Sequence, residues 1–263
     1  MKKILLIGLT LSALGAPAGA ADMAPPSYYP PPVYQAAPVV PFFSWTGCYI
    51  GGDVGGAWSS QGVSNTAPPI AVQGGVTGTI NSSSVIGGGH VGCNFQWMPS
   101  FVVGIEGDYS GTHLSGSAAA PNLFPNGAPV GVGGIAWTST LDSIATLRGR
   151  IGYAWSPNVL LYVTGGGAWG RASYSSVDVF APGCPNCAAT SFSNTSSGYV
   201  LGGGVEWAPW SNNWTVRAEY LYYNLSGVTG TSLVVGTPVV GATPVWNNMA
   251  ISSGRVGVSY RFY

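Results

Sequence analysis

The chain has 263 residues, eight Lys+Arg balanced by eight Asp+Glu, and only 6% charged residues, where a soluble domain carries about a quarter. That is too little charge to coat a water-facing surface, yet no apolar run reaches the ~20 residues of a membrane-spanning helix. A strand whose alternate residues face lipid satisfies both facts, and with no cluster of Lys or Arg there is no nucleic-acid partner to expect.

Residues 1–20 read as a secretory signal peptide. Lys2 and Lys3 form the basic start, residues 4–14 the apolar stretch, and Ala18-Gly19-Ala20 the small-x-small cleavage pattern. With it removed, every remaining basic residue is Arg. Residues 21–44 follow as a Pro-rich periplasmic tail (Pro25, Pro26, Pro30, Pro31, Pro32, Pro38, Pro41) that cannot join a ladder. It is a linker or a recognition segment.

From Trp45 to the end, period-2 apolar segments predict eight strands near 45–58, 85–97, 101–111, 141–155, 159–172, 198–208, 214–225 and 248–262. Their connections alternate. Residues 98–100, 156–158 and 209–213 are short, whereas 59–84, 112–140, 173–197 and 226–247 are long and rich in Gly, Ser, Thr, Asn and Pro. Short turns at one end and long loops at the other are the pattern of a transmembrane barrel. The predicted fold is therefore an all-β, eight-stranded antiparallel transmembrane barrel over residues 45–263, with short periplasmic turns and long extracellular loops.

Parity assigns the faces. Val91, Cys93, Phe95 and Trp97 oppose His90, Asn94 and Gln96; Phe101, Val103, Ile105 and Tyr109 oppose Glu106 and Asp108. Leu147, Ile151, Tyr153 and Trp155 oppose Arg148 and Arg150. Tyr199, Leu201, Val205 and Trp207 oppose Glu206, and Val216, Ala218 and Tyr220 oppose Arg217 and Glu219. Val256, Val258, Tyr260 and Phe262 oppose Arg255, Ser259 and Arg261. On the fifth strand Tyr162/Thr164 and Val163/Trp169 are equally good outer faces. Trp97, Trp155, Trp207, Trp210 and Trp214 flank the short turns, and Trp58, Trp137 and Trp169 lie near the long loops, as two interfacial girdles require.

The acids and arginines placed by this parity share the inner face. Counted from the short-turn ends, Glu106 is level with Arg150, Asp108 with Arg148, Glu206 with Arg217, and Asp53 with Arg255 across the closing seam. A lumen network of Asp53, Glu106, Asp108, Arg148, Arg150, Glu206, Arg217, Glu219 and Arg255 is expected to plug the barrel. No catalytic site is expected: His90 faces the lumen, His113 falls in a loop, and neither is aimed at lipid beside a nucleophile. The runs at residues 87–89, 165–167 and 202–204 read as barrel bends, since no Lys follows them. Cys184 and Cys187 form a CxxC read as a small disulfide loop at a surface tip, the other reading being a redox or metal pair. No cofactor or metal is expected.

Several segments resemble small alphaproteobacterial outer-membrane barrels, the porin-family surface antigens with an OmpA-like eight-stranded barrel. The opening strand, residues 45–52, is similar to theirs. So are residues 146–154, 162–166 and 217–223. The ending Val258-Ser259-Tyr260-Arg261-Phe262 resembles the signal read by the barrel-assembly machinery, carried by Val258, Tyr260 and Phe262. The resemblance implies an integral outer-membrane protein whose partners are outer-membrane lipid and that machinery, with the loops' extracellular ligand unknown. Its role is then structural and surface-displaying, or that of a narrow porin for small solutes or ions, or that of a receptor or adhesin acting through four loops. This chain departs from the family at Tyr263, which follows the usual terminal Phe, and at Cys48 and Cys93, where the family commonly has aromatics. Antiparallel pairing brings Cys48 level with Cys93 on the lipid face, either as a cross-strand disulfide or as two neighbouring thiols.

Overall fold

The structure is a computed structural model that describes residues 43–66, 76–123, 129–179, 188–209, 213–231, 233–234, 237–238 and 243–262. The signal peptide, nearly all of the Pro-rich tail, Cys184, Cys187, Trp210 and Tyr263 lie outside the described residues.

Eight long strands run β1 (Gly47–Thr66), β2 (Val76–Met98), β3 (Phe101–Leu123), β4 (Pro129–Ser156), β5 (Val159–Val179), β6 (Ala188–Trp207), β7 (Trp214–Leu225) and β8 (Thr243–Phe262). Each pairs antiparallel with the next, and β1 pairs with β8 from Cys48↔Phe262 to Thr66↔Thr243. Every long strand thus has two neighbours and the sheet closes, which removes the free edges that an open sheet exposes. The turns at Pro99-Ser100 and Pro157-Asn158 are tight.

The expected long loops are largely strand. β1 continues to Thr66, β2 starts at Val76, and β4 is 28 residues long, against the 9–11 that cross a bilayer. His113, expected in a loop, lies within β3. Composition misleads here because the hairpins extend beyond the apolar belt, where outward positions carry Ser and Thr. Bulges also break the period, between Gly111 and Leu114 on β3 and between Leu141 and Ser143 on β4.

Side chains alternate across the wall. On β4, Leu147 and Ile151 are exposed outward, whereas Arg148 and Arg150 are buried inward. The ambiguous fifth strand resolves: Val163 (64% exposed) and Trp169 (44%) face out, Tyr162 (5%) and Thr164 (7%) face in. Trp97, Trp155, Trp207 and Trp214 ring the short-turn end, and Trp58 and Trp169 stand at the other rim of the belt. Trp137 corrects the girdle assignment. It is fully buried inside the barrel, because above the belt water replaces lipid outside and the apolar side of the wall turns inward. The glycine runs lie inside strands rather than phosphate loops. A Cβ on Gly88 would strike the carbonyl oxygen of Tyr109, and one on Gly166 that of Leu147, so adjacent strands approach there as only glycine permits.

Candidate functional site

Among the described residues, the ionisable groups concentrate in the interior. It is built in three tiers. At the short-turn end, Trp45, Val102 and Leu160 pack together with Phe43 and Ala154. The Arg261 guanidinium lies 4.8 Å from the Phe43 ring centroid and 5.2 Å from that of Trp45, a cation–π stack under the lumen floor. Gln96 fixes this tier by accepting from the Trp45 backbone N–H at 2.8 Å.

The middle tier is the charge network. Glu106 on β3 is its centre. Its carboxylate accepts from Arg148, from Arg217 at 2.8 Å and from the Tyr49 hydroxyl at 2.5 Å, with Arg150 at 3.5 Å. Arg148 also reaches Glu219 at 2.9 Å and Asp108 at 3.2 Å. Arg255 lies 3.4 Å from both Asp53 and Asp108, and Arg217 3.3 Å from Asp53. Glu206 and Arg217, expected as partners, are opposite in register but form no ion pair. Glu206 accepts instead from Arg150 at 2.9 Å and from the Thr215 hydroxyl at 2.7 Å. In so narrow a lumen a partner across the barrel is as near as one on the next strand, and a long Arg reaches it. Arginine suits this packing because its planar fork serves two or three acceptors at once.

Tyrosines complete the tier, and the sequence reading did not single them out. Tyr49 joins Glu106 to Arg150, donating to the first and accepting from the second at 2.8 Å. Tyr162 donates to Glu219 at 3.1 Å, and the Arg150 guanidinium lies 3.9 Å above its ring. The Tyr223 hydroxyl accepts from Arg255. A strand-parity argument could have found Tyr49, two positions from Gly51 and four from Asp53 on the same face.

His90 also belongs here. Its Nδ1 lies 3.1 Å from Asp53 and its Nε2 2.8 Å from the Ser259 hydroxyl. The order Asp–His–Ser is that of a hydrolytic triad. Ser259, however, is buried in the wall, and a Cβ on the neighbouring Gly51 would collide with the His90 ring. The line joins β1, β2 and β8 through buried side chains. Among the described residues no group of His, Cys, Asp and Glu is arranged to hold a metal ion.

The upper tier is apolar. Ile80, Leu114, Ile135, Trp137, Leu141, Tyr174 and Trp246 pack in one cluster that reaches down to Ile144, Val200 and Tyr223, directly above the arginines. The tryptophans and Tyr174 are at most 2% exposed. The sequence did not point to this tier because Ile80, Leu114, Ile135, Trp137, Tyr174 and Trp246 fall in segments expected to be loops, although Leu141, Ile144, Val200 and Tyr223 lie in predicted strands.

Two further sets of expected residues lie on the outer wall. Cys48 and Cys93 are directly opposite in register and their sulfurs are bonded. Val258, Tyr260 and Phe262 point outward in a row, with the Tyr260 ring 5.2 Å from Phe262 and 5.1 Å from Trp214.

Comparison with known proteins agrees with this architecture. A family model described as "Outer membrane protein beta-barrel domain" matches residues 34–262. The chain is 32% identical over 237 residues to the 31 kDa outer-membrane immunogenic protein of Brucella melitensis, covering 88% of this chain and 89% of that protein. It is 30% identical to the 22 kDa outer membrane protein of Rhizobium leguminosarum bv. viciae, covering 72% and 68%. Among solved structures it is similar to the outer membrane protease OmpT of Escherichia coli, with TM-score 0.46 and 12% identity over 81% of this chain and 97% of that one. A likeness at that level carries no argument about activity.

Proposed function

The chain belongs to the outer-membrane β-barrel domain family and is a protein of the cell outer membrane, and on that premise we propose that it is a sealed, non-catalytic envelope protein that displays its hairpins at the cell surface. The observation that carries the reading is the filled interior. Three stacked tiers, aromatic, ionic and apolar, occupy the barrel from the short-turn end upward. A narrow pore would need a water path past Trp45, Trp137 and Trp246, each of which has 0% exposure. Eight strands enclose a lumen that side chains can fill, and here they do so with large rings and paired guanidiniums. The surface role draws on the hairpins that extend past the belt and on the word "immunogenic" in the name of the Brucella relative.

The test is solute uptake by vesicles. Folded protein, identified by its altered gel mobility before boiling, should leave the swelling rate of liposomes in small sugars equal to that of protein-free liposomes. Swelling that falls with increasing sugar size would establish a pore and end this reading.

A further inference from the structure

Cys48 and Cys93 face outward from adjacent strands, and their surroundings are those of the lipid belt. Ile50 and Val91 lie above them on the same face, and Phe95 and Trp97 lie below Cys93. Ile105 on β3 is the register partner of Cys93, and Phe262 on β8 that of Cys48. All these side chains point outward, so in the membrane the bonded sulfurs sit in hydrocarbon, inside the lower aromatic girdle. Thiol–disulfide exchange proceeds through a thiolate, and a thiolate is a species of water rather than of hydrocarbon.

We propose that this bond forms in the aqueous periplasm before the barrel enters the membrane, on a chain presented to a dithiol-oxidising protein with a reactive disulfide, and that lipid then shields it. One cysteine thiolate attacks the oxidant's disulfide, forming a mixed disulfide and releasing one oxidant thiolate. The other cysteine thiolate attacks the mixed disulfide at the first cysteine's sulfur and expels the second oxidant thiolate. Two electrons pass from Cys48 and Cys93 to the oxidant, whose disulfide becomes a dithiol. The two cysteine protons go to solvent or to the released thiolates.

The order of events has a structural consequence. Cys48 pairs on one side with Cys93 and on the other with Phe262. An early bond fixes the register of β1 against β2 while the other edge of β1 still waits for β8. A slip by one residue would turn every side chain of β1 to the wrong face. The bond therefore holds one half of the closing seam in register, with Asp53 committed to the lumen, before the last strand arrives.

The experiment starts from the full chain unfolded in urea, prepared reduced or oxidised, and folds it into phosphatidylcholine vesicles. Gel mobility without boiling reports folding. Differential alkylation with peptide mapping reports each cysteine and keeps Cys184 and Cys187 apart from this pair. Folded protein carrying the bond should resist tris(2-carboxyethyl)phosphine for a time that reduces the urea-unfolded chain completely. A reduced chain that folds should stay reduced at Cys48 and Cys93 when glutathione disulfide is added. Failure of the reduced chain to fold, while the oxidised chain folds in parallel, would equally place oxidation first. Formation or cleavage of the bond in the inserted barrel as fast as in the unfolded chain would overturn the proposal.

Discussion

Glu106 shows how much one residue carries here. Four side chains converge on its carboxylate from β1, β4 and β7. Replacing it by Ala leaves buried guanidiniums without their shared counter-charge, a loss on the order of 3–5 kcal/mol. The measurement is the urea midpoint of the folded band in vesicles, which should fall markedly for Glu106→Ala. Tyr49→Phe should cost about 1–3 kcal/mol, because it strips one hydroxyl that both donates and accepts. Arg150→Lys keeps the charge but cannot serve Tyr49 and Glu206 at once from a planar fork, so its midpoint should also drop. Parity made the inward direction of these groups legible in the sequence. Their partners were legible in part: Arg150 lies 3.5 Å from Glu106, Arg148 3.2 Å from Asp108 and Arg255 3.4 Å from Asp53, as strand height suggests, whereas Glu206 and Arg217 do not pair. Residue height along a strand specifies a row of Cα atoms, whereas the head group of a long arginine selects its acceptor across the lumen, as Arg217 does in passing over Glu206 for Glu106.

At the scale of the strand, β4 contains both solvents of this protein. Its lower part carries Leu147 and Ile151 outward and Arg148 and Arg150 inward; its upper part carries Thr138 and Thr140 outward and Ile135, Trp137, Leu141 and Ile144 inward. The inversion follows the medium outside the wall, lipid below and water above. The eight strands were recognisable from period-2 patterning only where the outer face is apolar. Above the belt, Gly, Ser and Thr have the composition of loops, and the bulges at Gly111/Leu114 and Leu141/Ser143 shift the phase. Two outcomes check this account. Trp137→Ala should cost about 3–5 kcal/mol through the cavity it leaves while the barrel still assembles. Backbone amides of residues 135–141 and 172–176 should exchange with deuterium slowly, as in a paired sheet, although they lie beyond the bilayer. Exchange at the rate of an open loop would show that the upper hairpins are not built this way.

For the molecule as a whole, closure and filling are separate achievements. Closure depends on the β1–β8 seam, where the outward row Val258, Tyr260 and Phe262 meets β1. Phe262→Ser removes the aromatic end of that row, and the yield of heat-modifiable folded protein in outer membranes should fall, with unfolded chain accumulating in the periplasm. Filling depends on the ionic tier and on the apolar tier above it, and the proposed sealing of the barrel rests on the two together. The most direct test of that claim is the current through a planar bilayer containing the folded, unboiled protein. A sealed barrel predicts a baseline indistinguishable from bare lipid under steady voltage of either sign. Stable, ohmic steps from the wild-type protein would contradict it.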